Sequence, residues 1–394
     1  MKTVGTIARG IRTPIIKTND NLEQIVIDSI LKASKEDGFE IQDKDIIAIT
    51  EAVVGISMGN YATIDAISSD IKSKFKTGHL GIVFPILSRN RFSILLKAFA
   101  KASKKITILL SYPTDEVGNA ILDEAKLKSL NINPYSDKIT EEEYKNHFSD
   151  FKHLFTGVNM VEYYRNICLE ENTQVNFVFS NNPEDILDYT TDVLVSSIHS
   201  RQRIKNTLKE NQSLTVYGLD DILTQPVNGS GYNEKYGLLG SNMATKDKVK
   251  LFPNHTNLVF DIQKKIFELT EKTVEVMIYG DGAFKDPSGG IWELADPVVS
   301  PSYTSGLEGS PNEIKLKFLS DSKFENLKGK ELEEAIKNEI LNKDNSLVGK
   351  DESLGTTPRK YVDLIGSLCD LMSGSGDKGT PVIFIQNYFT NYTK

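Results

Sequence analysis

The sequence has few of the residues that build zinc sites and disulfide frameworks. Of its 394 residues, only two are cysteine and five are histidine. Cys168 and Cys369 lie far apart and belong to no C-x-x-C pair, and no two histidines are four residues apart. Disulfides and thiolate zinc sites are therefore not expected, and a reducing compartment is favoured. No G-x-S-x-G segment supports a serine hydrolase, and no catalytic residue is assigned.

Long apolar runs and an excess of basic residues are also missing. No uninterrupted apolar run is long enough to span a membrane, and residues 1–9 contain no apolar segment of the kind found in secretory signals. The net charge of −8 and the isoelectric point near 5.4 argue against broad binding to nucleic acid or to anionic membranes. We therefore expect a cytoplasmic protein with no nucleic-acid or membrane partner.

The middle of the chain has the sequence pattern of an α/β unit. Short apolar runs, separated by helical patterns, recur at residues 81–84, 106–110, 175–179, 193–195 and 214–217. Strands that alternate with helices favour a parallel sheet covered on both faces. We therefore predict a Rossmann-like α/β unit here, within a chain long enough for two domains.

The two ends of the chain show a different mixture of elements. Asp20, with Glu23 three residues later, predicts the start of a first helix. A buried strand is expected at residues 45–50, extending towards residue 58. Further helices are predicted at 256–270, 332–341 and 359–372, and further strands at 274–279 and 381–386.

One acidic turn stands out near residue 280. The β-prone run 276–279 ends at Gly280, Asp281 and Gly282, which leaves a carboxylate at a strand end with little side-chain bulk beside it. A metal ion or a phosphate-bearing ligand could approach the backbone there. The alternative is an ordinary tight turn, because glycine and aspartate are common turn residues.

Asp220 and Asp221 follow a similar apolar run at residues 216–219. Together with Asp281, they could hold Mg²⁺ or Mn²⁺, ions that prefer oxygen ligands. The alternative for Asp220 is the N-cap of a helix.

Two basic segments each lie between a predicted strand and a predicted helix. They contain Arg89 with Arg91, and Arg201 with Arg203, and His199 precedes the second segment. A helix amino end beside arginine is a natural site for phosphate or carboxylate. The alternative is a set of solvated arginines in surface ion pairs. The glycine-rich segment 374–379 fits G-x-G-x-x-G in letters only, because a helix precedes it and a strand follows it.

Segments at both ends of the chain, taken in order, resemble the coenzyme F420-0:L-glutamate ligase (γ-glutamyl ligase) family. Residues 12–17 and 20–22 resemble its Gly-Ile-Pro segment and the acidic start of its first helix, and residues 45–54 resemble its D-V-V-V-V-T-S-K-I-V strand. Residues 237–242 and 251–253 resemble G-I-D-x-S-N … L-L-P. Residues 280–284 resemble S-D-T-F-G, and residues 363–386 resemble M-G-Q-x-D-x-G-x-P-V.

The resemblance implies a GTP-dependent ligase that uses Mg²⁺ or Mn²⁺ and forms a homodimer. The expected reaction is phosphorylation of a small-molecule carboxylate acceptor, followed by attack of the amino group of L-glutamate on the acyl phosphate. Asp281 would bind metal. The positions that would line the nucleotide site are Arg12, Thr13, Pro14, Ile15, Thr50, Glu51 and Asn242.

The resemblance also implies the domain arrangement. A ligase-like domain of mixed α/β, or α+β, class would be built from residues 1–75 and 215–394. The Rossmann-like unit, residues 76–214, would be inserted in it.

Several polar positions of the family are changed in this chain. Leu239 stands where the family has a metal-binding aspartate, and Gly282 stands where it has a threonine. Ser375 replaces a glutamine of the family, and an apolar position near Ile56 replaces a lysine. Asp220, Asp221, Asp286 or Asp377 could compensate. The alternative function is a protein on the same scaffold that binds nucleotide, metal or an anion without ligase activity.

Overall fold

The computed structural model of the protein describes residues 3–89, 91–153, 156–254, 257–280, 283–285, 292–294, 300–356, 359–373 and 377–393. Within these ranges, no helix is both long enough and apolar enough to cross a membrane.

A mixed five-stranded sheet joins the two ends of the chain. Its strands, in spatial order, are β1 (Ile7–Ile11), β15 (Val382–Gln386), β2 (Ile46–Thr50), β11 (Glu275–Tyr279) and β14 (Ser302–Tyr303). β2 and β11 run parallel, whereas β15 runs antiparallel to both of its neighbours and β14 runs antiparallel to β11. The first and last strands of the chain are therefore neighbours in one sheet.

The central strands are mostly apolar, with a polar residue at one end of each, and helices cover both faces of this sheet. Ile47, Ile49 and Val276 point to the face covered by α1 (Leu22–Asp37) and α9 (Leu258–Thr270). Ile46, Ala48 and Met277 point to the opposite face, which is covered by α12 (Tyr361–Met372). Alternation of side chains along a strand thus supplies both halves of the core.

The middle of the chain forms a second, wholly parallel sheet in the order β6-β5-β4-β7-β8. Its strands are β4 (His79–Val83), β5 (Lys105–Leu110), β6 (Gln174–Phe179), β7 (Asp192–Val195) and β8 (Thr215–Gly218). The helices around it are α4 (Phe92–Ala102), α5 (Glu124–Ser129), α6 (Glu141–His147), α7 (Met160–Glu170) and α8 (Arg201–Lys209). The predicted mixed α/β class, with a parallel sheet, is confirmed.

Smaller elements complete the described chain. They are α2 (Glu51–Met58), β3 (Tyr61–Thr63), α3 (Ile64–Lys74), β9 (Ser241–Thr245), β10 (Lys248–Leu251), β12 (Ala283–Lys285), β13 (Trp292–Leu294), α10 (Leu316–Asp321) and α11 (Gly329–Leu341). The apolar core of the parallel sheet includes Ile67 and Phe75 of the α3 region and Leu238 and Leu251 further along the chain. The division into domains at residues 76 and 214 stays a prediction.

Two details of the predicted elements are wrong. The N-cap of α1 is Asn21, whose side chain accepts a hydrogen bond from the Gln24 N–H at 3.1 Å, because the Asp20 carboxylate is engaged by the Lys17 N–H at 2.6 Å. The strand at residues 46–50 does not extend towards residue 58. The chain turns into α2 at Glu51, and that helix ends at Gly59 in the left-handed conformation.

Candidate functional site

The ends of four strands meet at one edge of the mixed sheet. Ile11 at the end of β1 pairs with Val382 at the start of β15, and Thr50 at the end of β2 pairs with Tyr279 at the end of β11. The Thr50 N–H also donates to the Pro381 carbonyl at 3.0 Å. The segments that follow β1, β2 and β11 therefore leave the sheet at the same edge as the segment that enters β15, and we call this the carboxyl edge.

Three of the residues predicted to bind nucleotide line one cleft, which runs along β1 and α1 and reaches this edge. Arg12, Thr13 and Pro14 face α1 across a cleft of about 700 Å³, and Thr380 lies on its wall. Nε of Arg12 donates to the carbonyl of Lys378 at 3.3 Å, which ties the segment after β1 to the segment before β15. Ile15 is 85% exposed and does not line the cleft.

The cleft carries charges of both signs. Arg9, Arg12 and Lys32 bring positive charge, whereas Asp28, Glu36 and Asp37 bring negative charge from α1. Its volume lies in the range of roughly 300 to 1,000 Å³ that is usual for small-molecule sites. The size suits a nucleotide, and the mixed charge could contact both the phosphates and the donor groups of a base.

Thr50 and Glu51 lie at the same edge, at the junction of β2 and α2. Thr50 occupies the N-cap position of α2, but its side chain makes no capping hydrogen bond. Glu51 is the first residue of that helix and is buried, so its carboxylate lies where the helix dipole favours negative charge. Asn242 lies apart from them on β9, opposite Lys250, and its side-chain oxygen accepts a hydrogen bond from the Met243 N–H at 2.9 Å.

Tyr279 is a residue at this edge that the sequence reasoning missed. Its side chain is buried, and burial raises the pKa of its phenol well above the usual value. The hydroxyl lies beside Ser373 and Thr50 but makes no hydrogen bond of normal geometry with the described residues. A buried, unpaired hydroxyl is uncommon. Tyr279 directly precedes Gly280 in the sequence. A tyrosine at the end of a strand rich in apolar residues was the available signal.

A second, smaller pocket adjoins the end of β11. It has a volume of about 220 Å³, and its floor includes Ile278 and Ser302, which pair across β11 and β14. The remaining lining residues are Asn233, Glu234, Lys235, Tyr236, Pro253, Asn254 and Pro301. The Asn233 side chain accepts from the N–H groups of Lys235 and Tyr236 and donates to the carbonyl oxygens of Phe252 and Pro253. This amide therefore fixes two walls of the pocket.

The predicted metal ligand Asp281 lies outside the described residues, as do Gly282, Asp286 and Ser375. Asp377 is described and is exposed. Among the described residues, no group of three or more histidine, cysteine or acidic side chains could hold a metal ion. The metal role of Asp281 therefore stays a prediction.

Asp220 and Asp221 lie after β8 of the parallel sheet and take part in ion pairs. Nζ of Lys205 lies 3.2 Å from Asp220 and 2.5 Å from Asp221, and Nε of Arg201 lies 3.4 Å from Asp220. Asp221 also accepts a hydrogen bond from the Gly218 N–H at 2.7 Å. These contacts account for both carboxylates without a metal, and a metal role for them stays a prediction. Leu239 is buried in the apolar core and offers no oxygen to a metal.

The four candidate anion-binding arginines lie after β4 and β7, two neighbouring strands of the parallel sheet. Arg89 and Arg203 are exposed, and Arg91 is the half-buried residue that precedes α4. Arg201 begins α8, where its guanidinium donates to the Ile198 carbonyl as well as to Asp220. Each basic segment lies between a strand and a helix, and the two segments share one end of the parallel sheet, but Arg201 is already paired.

The family model of the F420-0:Gamma-glutamyl ligase family matches residues 10–387, a range that includes the parallel sheet and all of the mixed sheet except the first three residues of β1. A search of curated proteins finds no match. Because the family match covers nearly the whole chain and includes all four strand ends at the carboxyl edge, the chain belongs to the F420-0:Gamma-glutamyl ligase family, a family of ligases.

Proposed function

We propose that this protein is a GTP- and metal-dependent ligase that joins the carboxylate of a small acceptor to the amino group of L-glutamate. The observation that carries the proposal is the convergence of the segments after β1, β2 and β11 at one sheet edge. Those three segments contain Arg12 to Pro14, Thr50 with Glu51, and Asp281. A ligase of this kind needs nucleotide, metal and acceptor side by side, and the convergence of these segments supports that proposal.

The 700 Å³ cleft is the proposed GTP site. Arg12 can contact phosphate oxygens in two-point fashion, and its hydrogen bond to the Lys378 carbonyl helps to hold its side chain in place. Asp28 and Glu36 on the α1 wall can accept hydrogen bonds from the amino and imino groups of guanine. The cleft thus offers partners for both the phosphates and the base of the nucleotide.

The proposed reaction needs two displacements. In the first, a carboxylate oxygen of the acceptor forms a bond to the terminal phosphorus of GTP, the bond from that phosphorus to the bridging oxygen breaks, and GDP leaves as the acyl phosphate forms. The nitrogen of L-glutamate then forms a bond to the carbonyl carbon, the carbon–oxygen bond to phosphate breaks, and the amine loses a proton. The task of the protein is to align the reacting groups and to exclude water, since positioning supplies most of the rate in such transfers.

Mg²⁺ or Mn²⁺ would neutralise charge on the transferring phosphoryl group. Asp281, one residue beyond Gly280, is the proposed ligand. Glu51 supports this assignment because it brings a second carboxylate to the end of the neighbouring strand. The described residues alone hold no metal cluster, so the proposal depends on Asp281.

The 220 Å³ pocket is the proposed site of the smaller substrate. Its volume corresponds to roughly seven water molecules at about 30 Å³ each, which suits an amino acid better than a nucleotide. Glu234 and Lys235 bring opposite charges to its lining, as a zwitterion requires. The homodimer that the family resemblance implies also remains part of the proposal.

The test is GTP hydrolysis that depends on both L-glutamate and an acid acceptor such as F420-0. We expect Asp281→Ala to abolish that activity and Arg359→Ala, at an exposed position near the start of α12, to leave it unchanged. Full activity after Asp281→Ala would remove the proposed metal role. GTP hydrolysis at the same rate with and without L-glutamate would argue against the proposed ligase activity.

The alternative, a nucleotide- or metal-binding protein without ligase activity, is favoured by one observation. Leu239 is 1% exposed within an apolar cluster, at the position where the resembled family has a metal-binding aspartate. Calorimetry with GTP and Mn²⁺ separates the two functions when it is combined with the hydrolysis assay. Micromolar binding without any glutamate-dependent turnover would support the alternative.

A further inference from the structure

The parallel sheet has a crevice where the strand order changes direction. From β4 the chain proceeds outward through β5 to β6, and then returns to the other side of β4 to form β7 and β8. Connections that leave neighbouring strands in opposite directions open a crevice at their carboxyl ends, and ligands of such sheets commonly bind there. The ligase proposal does not use this crevice.

The chain's own Glu116 fills the β7 side of this crevice. Its carboxylate accepts hydrogen bonds from the hydroxyl of Ser197 at 2.9 Å, the N–H of His199 at 3.2 Å and the N–H of Ser200 at 3.4 Å. The N–H of Ile198 is a fourth donor. Three backbone N–H groups and a hydroxyl just before α8 thus converge on one carboxylate, which is the arrangement that binds oxyanions at helix amino ends.

The preceding residue, Asp115, forms a hydrogen bond with the loop on the β4 side of the crevice. Its carboxylate is buried and accepts a hydrogen bond from the Leu87 N–H at 2.8 Å, in the loop after β4. It also accepts from the N–H groups of Val117 and Asn119 within its own loop. Asp115 and Glu116 therefore bridge the loops that follow the two strands on either side of the crevice, and we call this pair the acidic strap.

An unpaired hydroxyl lies at the base of the same crevice. Ser196 is 2% exposed, and its Oγ has no hydrogen-bond partner among the described residues. The Ser196 N–H donates to the Val83 carbonyl at 2.8 Å, which places this residue between the carboxyl ends of β4 and β7. A buried hydroxyl without a partner is unfavourable in the closed crevice, and a ligand oxygen could satisfy it.

We propose that the amino end of α8 is an oxyanion-binding site that the protein fills with its own Glu116 carboxylate. A small ligand that bears a carboxylate or a phosphate group binds there by displacing Glu116. Displacement detaches one end of the acidic strap, and the loops after β4 and β7 are then no longer tied together. The site is separate from the carboxyl edge and does not depend on the proposed ligase activity.

The test is a calorimetric titration of the full chain with inorganic phosphate and, separately, with acetate. In the wild type, Glu116 competes with the added anion, so the apparent affinity is reduced by the fraction of molecules in which the site is open. We expect Glu116→Ala to bind at least one of the two anions at least about tenfold more tightly than the wild type. Phosphate preference would indicate a phosphorylated ligand, and acetate preference a carboxylic acid.

Two further variants keep the proposal falsifiable. Glu124→Ala removes an exposed carboxylate from the first turn of α5 and should bind anions as the wild type does. Glu116→Gln keeps the shape of the side chain but weakens the competitor, so its affinity should fall between those of the wild type and Glu116→Ala, and it decides the test if the alanine variant does not fold. Anion affinities of the Glu116 variants equal to that of Glu124→Ala would overturn the proposal.

Discussion

Thr50 lies directly opposite Tyr279 at the carboxyl ends of two parallel strands, β2 and β11. These residues are distant in sequence, and each is followed by a segment that contains an acidic residue. Parallel pairing makes both segments leave the sheet at the same edge, beside the end of β1. This pairing places Glu51 and Gly280, the residues that directly follow the two strands, at the same edge, and the proposed nucleotide and metal site depends on it.

The hydroxyl of Tyr279 gives a first prediction. Because it is buried and unpaired among the described residues, its removal in Tyr279→Phe should change the free energy of unfolding by less than about 1 kcal/mol. The turnover number of the ligase reaction should nevertheless fall, since the hydroxyl stands at the proposed site. Urea denaturation and the glutamate-dependent assay measure the two effects. Normal turnover in a stable variant would show that the hydroxyl has no part in the reaction.

Arg12 should affect GTP binding more than turnover. Arg12 lines the 700 Å³ cleft, so Arg12→Ala should raise the KM for GTP by about tenfold, which corresponds to about 1.4 kcal/mol. The turnover number should change less. Arg359→Ala is the matched control because Arg359 is also exposed. An equal rise of KM in both variants would argue against a nucleotide in this cleft.

Lys205 should be important for stability. Its buried ammonium group pairs with both Asp220 and Asp221, and Lys205→Met would leave two neighbouring carboxylates without this partner. We expect a loss of about 2 to 3 kcal/mol in the free energy of unfolding, less than for a fully buried pair because the carboxylates are partly exposed. Lys209→Met, at an exposed position of the same helix, should change it by less than about 0.5 kcal/mol. Similar losses in both variants would contradict the ion-pair role.

The environment of His79 should make the free energy of unfolding depend on pH. Burial, and then the nearby Lys105 charge, lower the pKa of its imidazole, while Asp192 acts in the opposite direction. The neutral ring, which lies 3.0 Å from the Thr107 hydroxyl, is therefore favoured in the folded state. The unfolded chain binds the proton more readily, so stability falls as the pH drops from about 7 towards the lowered pKa.

Thermal unfolding between about pH 7 and about pH 5 measures this effect. His79→Gln should flatten the dependence, whereas His147→Gln, at an exposed position, should not. A profile unchanged by His79→Gln would show that other groups cause it.

Much of the fold follows from local patterns. The apolar runs at residues 46–49 and 276–279 predicted strands because buried strands read as continuous apolar segments. The alternation of strands and helices between residues 80 and 220 predicted the parallel sheet, because helices that connect successive strands favour parallel pairing. The start of α1 was misassigned by one residue, because Asp20 and Asn21 are both good caps and only the contact of Asp20 with the Lys17 N–H distinguishes them.

The candidate site was less accessible from sequence. The motif residues after β1 and β2 could be named, but their common edge depends on pairings such as Ile11 with Val382, which no local pattern specifies. Glu116 was missed because a single glutamate in a loop has no periodicity, and its role appears only when the segment before α8 folds around it. The ion pairs of Asp220 and Asp221 could not be foreseen from the sequence, because Lys205, which pairs with both, comes from a different element.

The most direct measurement of the central claim is a crystal structure of the protein with GTP and Mn²⁺. The account predicts the nucleotide at the carboxyl edge, in the cleft lined by Arg12, Thr13 and Pro14, with Mn²⁺ bound by Asp281. Nucleotide bound elsewhere, for example in the crevice between β4 and β7, with Asp281 remote from the metal, would contradict it.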